Sequence, residues 1–596
     1  MSLILSRRDI DFLLFEWLNV EELLGHERYS SHDRETLSGV LDLAQALAED
    51  HFAPANKIAD QNEPVMTADG SVSLPSEIGQ ALDAFREAGL LGASQAVDVG
   101  GMQLPFVVDK AAFAWLQAAS PAISGYALLS AAAANLLIEH GSTEQIERYA
   151  LPLLEGRRFG TMCLSEPQAG SSLADVRTRA VPDGDAQYRL FGNKMWISGG
   201  EHSLAESITH LVLARVEGAV AGIRGLSLFI VPRDVDCHEG GTERNDVALA
   251  GLNHKMGQRG TVNTLLNFGE GKYTPGDMPG AIGYLVGAEG DGLKTMFTMM
   301  NEARIAVGTS AAAIGYTGFL HAVDYARVRT QGRRPLAKDP AASQIAIIEH
   351  PDVRRMLLTQ KAYVEGALAL NLYCARLVDE ARCSEGEARA DLHLLLDLLT
   401  PIAKSWPSEY CLEANSLAIQ VHGGYGYTRD YNVEQFYRDN RLNPIHEGTS
   451  GIHAIDLLGR KVVMQQGRAL GIYADRLRAS CDRGRALGGE VSEHAAVVST
   501  LLDAVLRVTN TLHGANDVEQ TLANASGYLD VVGHLTIGWI WLEQIIACHG
   551  REGDFYDGKR AAARFFRRWE LIGLEPKLDL LASLDRTTLD LQPEWL

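Results

Sequence analysis

Residues 420–450 of the chain read QVHGGYGYTRDYNVEQFYRDNRLNPIHEGTS, which sets a glycine-rich turn ahead of a single glutamate near the end, Glu447. Glu447 is followed by Gly-Thr-Ser, residues 448–450, a run that can begin a helix. The first backbone N–H groups of a helix have no partner inside the helix, so they would lie beside this carboxylate. A glutamate in such a place fits helix capping and catalysis equally well.

Two stretches further upstream are also dense in small and polar residues. Residues 162–177 read MCLSEPQAGSSLADVR, a loop that can bring backbone N–H groups and hydroxyls to an anionic ligand. Residues 193–200 read NKMWISGG and place Trp196 and Ser198 on the same side of a strand. Taken alone, Trp196 would more often be a core residue than a shield for a cofactor. Ser165 and Ser198, taken alone, would be ordinary strand hydroxyls.

The texture of the sequence predicts a mainly α protein with a central β domain. Spacings of three and four indicate helices over about 38–154, short β-rich runs follow up to about 285, and helical patterns return from about 292. The predicted strands are 188–191, 210–216, 226–231 and 262–268. The predicted long helices are 296–328, 352–381, 389–422 and 449–468. We therefore expect an N-terminal extension (1–45), a helical domain (46–158), a middle β domain (159–286), a helical bundle (287–468) and a C-terminal helical domain (469–596).

Composition excludes several classes of protein. With 46% hydrophobic and 22% charged residues, the chain has the composition of a typical globular protein, which excludes a disordered or a collagenous protein. A net charge of −22 argues against nucleic-acid partners and anionic membrane surfaces. Seven cysteines without a CxxC pair fit a reducing compartment, and charged residues interrupt the apolar N-terminal stretches. We expect a soluble cytoplasmic protein. The cluster RFFRRW at 564–569 indicates a packed helix or, alternatively, a membrane-surface helix.

Five motifs in fixed order carry a resemblance to a known family. The order CLSEPQAGS, KMWISGG, HKMGQRG, VHGGYGYTRDYNVEQFYRD and HEGTS resembles the acyl-CoA dehydrogenase family of flavoproteins, over about residues 45–468. The segment after 470 resembles the enlarged bacterial branch, which includes dehydrogenases for fatty acyl-CoA and for 3-methylmercaptopropionyl-CoA. The resemblance implies the acyl-CoA dehydrogenase fold, in which a helical domain, a β-barrel-like domain and a helical bundle follow one another. Here a C-terminal helical domain is added.

The implied reaction is FAD-dependent oxidation of an acyl-CoA thioester to trans-2-enoyl-CoA, in fatty acid β-oxidation on medium or long chains. A Cα–H beside a thioester is a weak acid, so its removal needs a positioned base and stabilisation of the developing enolate. Glu447 matches the family's base, and its backbone N–H would bond the thioester carbonyl. On the substrate side Arg304 matches the family's arginine, and Asn301 stands where many relatives carry Asp.

The resemblance also assigns flavin contacts and partners. The residues matched to FAD contacts are Leu164, Ser165, Gly170, Ser171, Trp196, Ser198, Arg329, Gln420, Gly423, Gly424 and Thr449. Arg329, Gln420, Gly423 and Gly424 would reach the FAD of a neighbouring subunit, which implies at least a homodimer. The implied electron acceptor is an electron-transferring flavoprotein.

Three other functions compete with this interpretation. An acyl-CoA oxidase would use the same base and flavin but pass electrons to oxygen. A non-catalytic flavoprotein scaffold would bind the flavin without using the base, and the third alternative is a DNA-associated protein. The retained Glu447 argues against the scaffold, and the net charge of −22 argues against DNA.

Overall fold

The computed structural model describes residues 2–184, 187–237, 240–334 and 341–596, without the side chains of residues 298–301. Helices account for 63% of the chain and the main sheet is central in the sequence, so the predicted fold class is confirmed. The chain forms two compact units, which are described separately. The β unit consists of Ser38–Leu104 and Ala119–Ala303. The helical unit consists of Met1–Leu37, Pro105–Ala118 and Arg304–Leu596.

The β unit is built on a barrel-like sheet. Its strands are β1 (Val65–Met66), β2 (Val72–Ser73), β3 (Arg158–Cys163), β4 (Arg179–Pro182), β5 (Gln187–Ser198), β6 (Ser207–Val216), β7 (Leu226–Pro232), β8 (Asp234–Asp236), β9 (Thr242–Arg244), β10 (Val247–Leu252), β11 (Asn263–Phe268) and β12 (Ala281–Val286). The eight-stranded sheet has the order β10-β11-β5-β12-β7-β6-β3, and β4 pairs with β5 and β6. The pairs β3–β6 and β4–β6 are parallel. The four predicted strands match β5, β6, β7 and β11.

The α-helices are α1 (Arg7–Asp11), α2 (Arg34–Leu47), α3 (Ala53–Gln61), α4 (Ser76–Glu87), α5 (Phe106–Ala119), α6 (Pro121–His140), α7 (Thr143–Gln145), α8 (Leu151–Leu154), α9 (Gly292–Val328), α10 (Pro351–Arg382), α11 (Gly386–His422), α12 (Val433–Asn440), α13 (Ser450–Gly459), α14 (Met464–Leu487), α15 (Gly489–Gly514), α16 (Val518–Ala523), α17 (Ala525–Ala547), α18 (Asp554–Phe565), α19 (Leu574–Ala582) and α20 (Thr587–Asp590). Three of the predicted long helices correspond to α9, α10 and α11.

The core of the β unit explains why its central strands are almost wholly apolar. Every residue of β7 is buried, and β6 exposes only Arg215 in part. Leu211 and Leu213 of β6, Ile230 of β7 and Leu137 of α6 belong to one buried cluster. Strands covered on both faces need apolar side chains on both faces, so they show no alternation. Their continuous apolar runs therefore indicate full burial.

Within the part of the chain that the structure describes, two helices are long and apolar enough to cross a membrane by length and composition alone. They are α6, whose most apolar window is 67% buried within the protein, and α15, whose window is 44% buried. A core helix of a soluble protein passes the same test, so the two helices are weak grounds for a membrane span.

The fourth predicted long helix, 449–468, is interrupted, and this part of the prediction is wrong. Helix α13 ends at Gly459, and the backbone then passes through left-handed conformations at 465–467 before α14 continues. The break places the buried ammonium of Lys461 2.8 Å from Asp397 of α11. Apolar periodicity cannot register such a contact, because it depends on a partner far away in the sequence.

A buried cluster of charges joins the two ends of the chain within the helical unit. Lys559 of α18 is fully buried and lies 2.5 Å from Asp9 of α1 and 2.9 Å from Glu365 of α10. Lys361 also pairs with Glu365, and the Tyr316 hydroxyl donates to Asp9 at 3.1 Å. The N-terminal extension is therefore anchored to the C-terminal helices by ionic contacts as well as by apolar packing.

The basic and aromatic cluster at 564–569 packs as a helix end. Phe566 is buried, and Phe565 stacks on Trp569 with ring centroids 5.4 Å apart. Arg564 and Arg567 pair with Glu490 and Glu493 of α15 at 2.8 and 2.6 Å. The packed-helix alternative is the one that these contacts support.

Candidate active site

Glu447 lies in the connection between α12 and α13 and has an unusual backbone. Its φ is +52°, in the left-handed region that non-glycine residues rarely adopt. A conformation of this kind is strained, and it persists only when the surrounding structure fixes it. Its side chain is partly buried.

Three contacts fix this backbone. The Nε2–H of His453 donates to the Glu447 carbonyl at 3.0 Å, and Lys404 Nζ donates to the Gly448 carbonyl at 2.6 Å. Thr449 is the N-cap of α13, and its hydroxyl accepts from the Ile452 N–H at 3.4 Å. Two consecutive carbonyls are thus held by side chains from α13 and α11.

Only glycine fits at position 448. Gly448 has a φ of +91°, and a Cβ there would lie 2.8 Å from Nε2 of His453. Any side chain would therefore displace the imidazole that holds the Glu447 carbonyl. The Gly in the His-Glu-Gly-Thr-Ser run is required by both its backbone angle and this close approach.

Burial and the charges around Glu447 act on its pKa in opposite directions. Burial raises the pKa of Glu447, and the positive charges of Arg304 and Lys404 act against that rise. His453 does not add a third cation, because burial and the same two charges lower its pKa to about 3. Burial likewise lowers the pKa of His446 to about 3. Glu447 is thus a carboxylate with two cationic neighbours and two neutral imidazoles.

Arg304, near the middle of α9, has spare hydrogen-bonding capacity. Its guanidinium is 5% exposed and lies 3.7 Å from Asp456 of α13. Among the described residues, its Nε and Nη1 have no hydrogen-bond partner. A buried cation with unpaired N–H groups beside a carboxylate is suited to hold a polar or anionic group of a substrate.

In the β unit, the loop after β3 is held against the end of β5. Lys194 is fully buried and donates to the Leu164 carbonyl at 2.9 Å and to Glu166 at 3.0 Å. The Met195 N–H donates to the Ser165 carbonyl at 3.0 Å. Burial opposes ionisation of Glu166, but the charge of Lys194 and hydrogen bonds from Thr178 and Arg177 outweigh it, so its pKa is lowered to about 2.

The end of β5 presents an exposed aromatic ring beside an open loop. Trp196 is 60% exposed and has a φ of +66°, so its ring is held outward by a strained backbone. The Ser198 hydroxyl accepts from Asn263 Nδ2 at 3.2 Å. No described atom lies within 4 Å of where a Cβ on Gly170 would stand. The exposed indole of Trp196 and the open space at Gly170 leave room for a planar, phosphate-bearing cofactor such as FAD.

Lys194→Met should destabilise the β unit and loosen this loop. The change leaves Glu166 ionised and buried without its cation, which lowers the free energy of unfolding by about 3 kcal/mol. FAD should also be released more readily, because the carbonyl of Leu164 loses its anchor. Urea unfolding and the flavin content of the purified protein measure both effects. Arg179→Met, at a half-exposed ion pair, is the control, and equal stability of the two variants would contradict the prediction.

The remaining predicted flavin contacts lie in the helical unit. Arg329 follows α9, and its guanidinium lies 5.9 Å from the centroid of the Tyr425 ring. That ring belongs to the turn Gly423–Tyr427, which follows Gln420 at the end of α11. No described atom lies within 4 Å of where a Cβ on Gly423 or Gly424 would stand. This surface is exposed, and Tyr427 is 91% exposed.

The structure brings the predicted residues together in three places. Glu447, Thr449 and Arg304 form one group in the helical unit, and Arg329 with the turn Gly423–Tyr427 forms a second. In the β unit the group consists of Leu164, Ser165, Gly170, Ser171, Trp196 and Ser198. Asn301 lies in α9, but its side chain is outside the part that the structure describes.

Sequence reasoning missed the residues that hold these groups in place. Lys194 and Glu166 lay inside the quoted motifs without a role. Lys404 had a signal of its own, because it is the one charged residue in the run 398–407. A cation in a buried helix requires a partner, so this lysine indicates a buried polar contact, but its own sequence does not indicate which group supplies it.

Comparison with known proteins places the whole chain in one family. Models of the acyl-CoA dehydrogenase N-terminal, middle and C-terminal domains match residues 35–157, 161–268 and 341–463. An "acetyl-CoA dehydrogenase C-terminal like" model matches 473–592. The chain is 36% identical to 3-methylmercaptopropionyl-CoA dehydrogenase of Ruegeria pomeroyi, over 95% of both chains. It is also 36% identical to the broad-specificity linear acyl-CoA dehydrogenase FadE5 of Mycobacterium tuberculosis, over 98% of both.

Solved structures show the same fold. The acyl-CoA dehydrogenase from Bacillus anthracis, solved with FAD, superimposes with a TM-score of 0.75 at 19% identity, over 97% of this chain and 93% of that chain. The two relatives at 36% identity match this chain almost from end to end, and the models cover its successive domains. The chain therefore belongs to the acyl-CoA dehydrogenase family, whose members are FAD-dependent oxidoreductases acting on CH–CH bonds.

Proposed function

We propose that this dehydrogenase oxidises unbranched acyl-CoA thioesters, of medium or long chain length, to the trans-2-enoyl-CoA, with Glu447 as the base. The observation that carries the proposal is the placement of Glu447. It is a partly buried carboxylate on a strained backbone, with the cations Arg304 and Lys404 acting on it. Backbone strain, and a pKa on which burial and nearby charges act in opposite directions, are both concentrated at catalytic groups.

The residues of the chain would act on two atoms of the substrate, the proton on Cα and the oxygen of the thioester. Glu447 accepts the proton from Cα, and burial makes its carboxylate a stronger base than one in water. The two cations keep it ionised before the proton arrives. The backbone N–H of Glu447 donates to the thioester oxygen, where negative charge develops. Arg304 holds the substrate side of the site with its unpaired N–H groups.

FAD supplies the oxidising power when it is bound, since it accepts the hydride that leaves Cβ. The β unit would hold its isoalloxazine and pyrophosphate through Leu164, Ser165, Gly170, Ser171, Trp196 and Ser198. The nucleotide part would be held by Thr449 and, from a neighbouring subunit, by Arg329, Gln420, Gly423 and Gly424. The exposed Trp196 ring and the open backbone at Gly170, Gly423 and Gly424 support this assignment. We therefore propose at least a homodimer.

The relatives that match this chain almost from end to end support an unbranched acyl chain. FadE5 is named for linear acyl-CoA, and 3-methylmercaptopropionyl-CoA also carries an unbranched chain, interrupted by one sulfur. Butyryl-CoA dehydrogenase of Syntrophomonas wolfei is 31% identical over 98% of both chains. 3-Methylmercaptopropionyl-CoA is the second candidate substrate, on the strength of the Ruegeria relative. Asn301 and Arg304 are proposed to contact the substrate.

We further propose an electron-transferring flavoprotein as the acceptor and the cytoplasm as the location. The seven free cysteines fit a reducing compartment. The domain borders given by the sequence, at 45, 158, 286 and 468, remain our proposal for this chain.

A panel of acyl-CoA substrates tests the proposal. The purified FAD-bound protein is mixed anaerobically with short, medium and long unbranched acyl-CoA, a branched acyl-CoA and 3-methylmercaptopropionyl-CoA, and loss of visible flavin absorbance is followed. Turnover is then measured with ferrocenium as acceptor. We expect the fastest reduction with medium or long unbranched chains. Preference for the branched chain, or for the sulfur-containing one, would overturn this choice of substrate.

A peroxide assay separates a dehydrogenase from an oxidase. In air without ferrocenium, a dehydrogenase should form little hydrogen peroxide, whereas an oxidase would form one peroxide for each enoyl-CoA. Stoichiometric peroxide would therefore replace the electron-transferring flavoprotein by oxygen in the proposed reaction.

A further inference from the structure

We propose that Lys404 is a positioning residue for the base: its ammonium group fixes the backbone that follows Glu447 and keeps the Glu447 carboxylate ionised until the α-proton arrives. The inference rests on the proposed function, in which Glu447 removes the α-proton. It adds a positioning residue to the site, because Lys404 would act through the backbone and the charge of Glu447 and not through a contact with the substrate.

The placement of Lys404 depends on an unusual part of α11. The side chain is fully buried, and its described hydrogen bond runs to the Gly448 carbonyl at 2.6 Å, 44 residues further along the chain. Pro401 and Pro407 flank it inside the helix, where each removes a backbone N–H. Burial of a lysine is costly unless its charge is used, so a structural reason alone would favour an apolar residue here.

Close packing of α9 on α11 brings the second cation to the same place. A Cβ on Gly308 of α9 would lie 1.9 Å from the Ala403 carbonyl of α11, so the two helices touch through backbone at this point. Arg304 lies one turn before Gly308, and Lys404 directly follows Ala403. The glycine thereby sets both cations beside the loop that carries Glu447.

The charges that face Lys404 and Glu447 come from each neighbouring element. Arg304 lies on α9, Glu409 on α11, and His446 directly precedes Glu447. On α13 the titratable groups are His453 and Asp456, and Asp456 lies next to Arg304. Both histidines have a pKa of about 3 and are neutral above that pH. Asp456 is shared with Arg460, which lies 2.7 Å away. Lys404 and Arg304 are therefore the cations that act on Glu447.

Lys404 itself loses its proton at a pH well below the usual pKa of a lysine. Burial lowers its pKa to about 8, and the nearby carboxylates Glu447 and Glu409 limit the fall. Below pH 8 it is charged and stabilises the ionised form of Glu447. Above pH 8 it becomes neutral, so the unmodified protein then carries no more charge at this position than a variant without the lysine. Loss of the lysine charge should therefore matter at acidic pH and disappear at alkaline pH.

Lys404→Met tests this difference. The variant removes the charge with little change of volume, so the pKa of Glu447 should rise and the acid limb of its flavin-reduction profile should move to higher pH. We expect the reduction rate at pH 6 to fall by about tenfold relative to the unmodified protein, and the gap to narrow toward pH 9, where only the lost hydrogen bond to the Gly448 carbonyl still separates the two rates. Lys404→Arg, which keeps the charge, should retain the original acid limb.

A readout independent of turnover accompanies the rates. The infrared carbonyl band of a protonated carboxyl group, identified by its loss in Glu447→Gln, should persist to higher pH in Lys404→Met. Lys461→Met is the matched control, since Lys461 is a buried lysine of the same unit that pairs with Asp397. The control should keep the original pH profile. If Lys404→Met does not accumulate with FAD, Lys404→Gln and Lys404→Arg carry the same comparison.

The outcomes separate this inference from the proposed function. If Glu447→Gln still reduces the flavin at the normal rate, the proposed function fails. If Glu447→Gln is inactive but Lys404→Met keeps the original acid limb and infrared titration, only the role of Lys404 is overturned.

Discussion

Glu447→Gln is expected to keep FAD, bind acyl-CoA and lose flavin reduction by at least about 10³-fold. The amide has the shape of the carboxylate but cannot accept the α-proton. The backbone contacts that hold residue 447 come from its carbonyl and from Gly448, so the change leaves them in place. Stopped-flow measurement of flavin absorbance after mixing with substrate gives the rate, and quenching of flavin fluorescence gives the binding.

The control for this variant is Glu434→Gln. Glu434 lies on α12 and pairs with Arg438 of the same helix at 2.6 Å, and it is not among the groups that act on Glu447. We expect its reduction rate to equal that of the unmodified protein. A Glu447→Gln protein that reduces FAD at an unchanged rate would show that another group removes the proton.

Lys559→Met should produce the largest loss of stability. The lysine is the shared cation of Asp9 and Glu365, and all three side chains are almost fully buried. Glu365 would retain Lys361, but Asp9 would keep only the hydroxyl of Tyr316 among the contacts described above. A buried carboxylate that loses its cation costs about 3–5 kcal/mol. Urea unfolding followed by circular dichroism should show that loss.

The same experiment tests the attachment of the N-terminal segment. Because Asp9 belongs to α1, its release should expose residues 1–37 to limited proteolysis before the rest of the helical unit unfolds. Lys577→Met is the control, because Lys577 is 50% exposed in its pair with Asp530 and should change stability by less than about 1 kcal/mol. Equal stability and equal protease resistance of the two variants would contradict the prediction.

Local sequence patterns predicted most of the fold. The strands β5, β6, β7 and β11 were visible because β-rich runs between turn residues indicate strands whatever they later pack against. The helices α9, α10 and α11 followed from spacings of three and four. The prediction of one continuous helix over 449–468 was wrong because nothing in these residues shows that Lys461 pairs with Asp397.

The sequence by itself determined the order of the motifs, the mainly α fold with its central sheet, and Glu447 as the candidate base. The fold depends on residues near one another in the chain, where periodicity and turn chemistry act, and Glu447 as the base is what the resemblance of the motifs to the family implied. Only the tertiary structure decided which charges act on Glu447 and which groups hold its strained backbone. Lys404 and Gly448 are 44 residues apart, and Asp9 and Lys559 lie at opposite ends of the chain. Such pairs form because a buried charge is stable only when it is paired or hydrogen-bonded. The packing of whole helices determines which partner lies close enough.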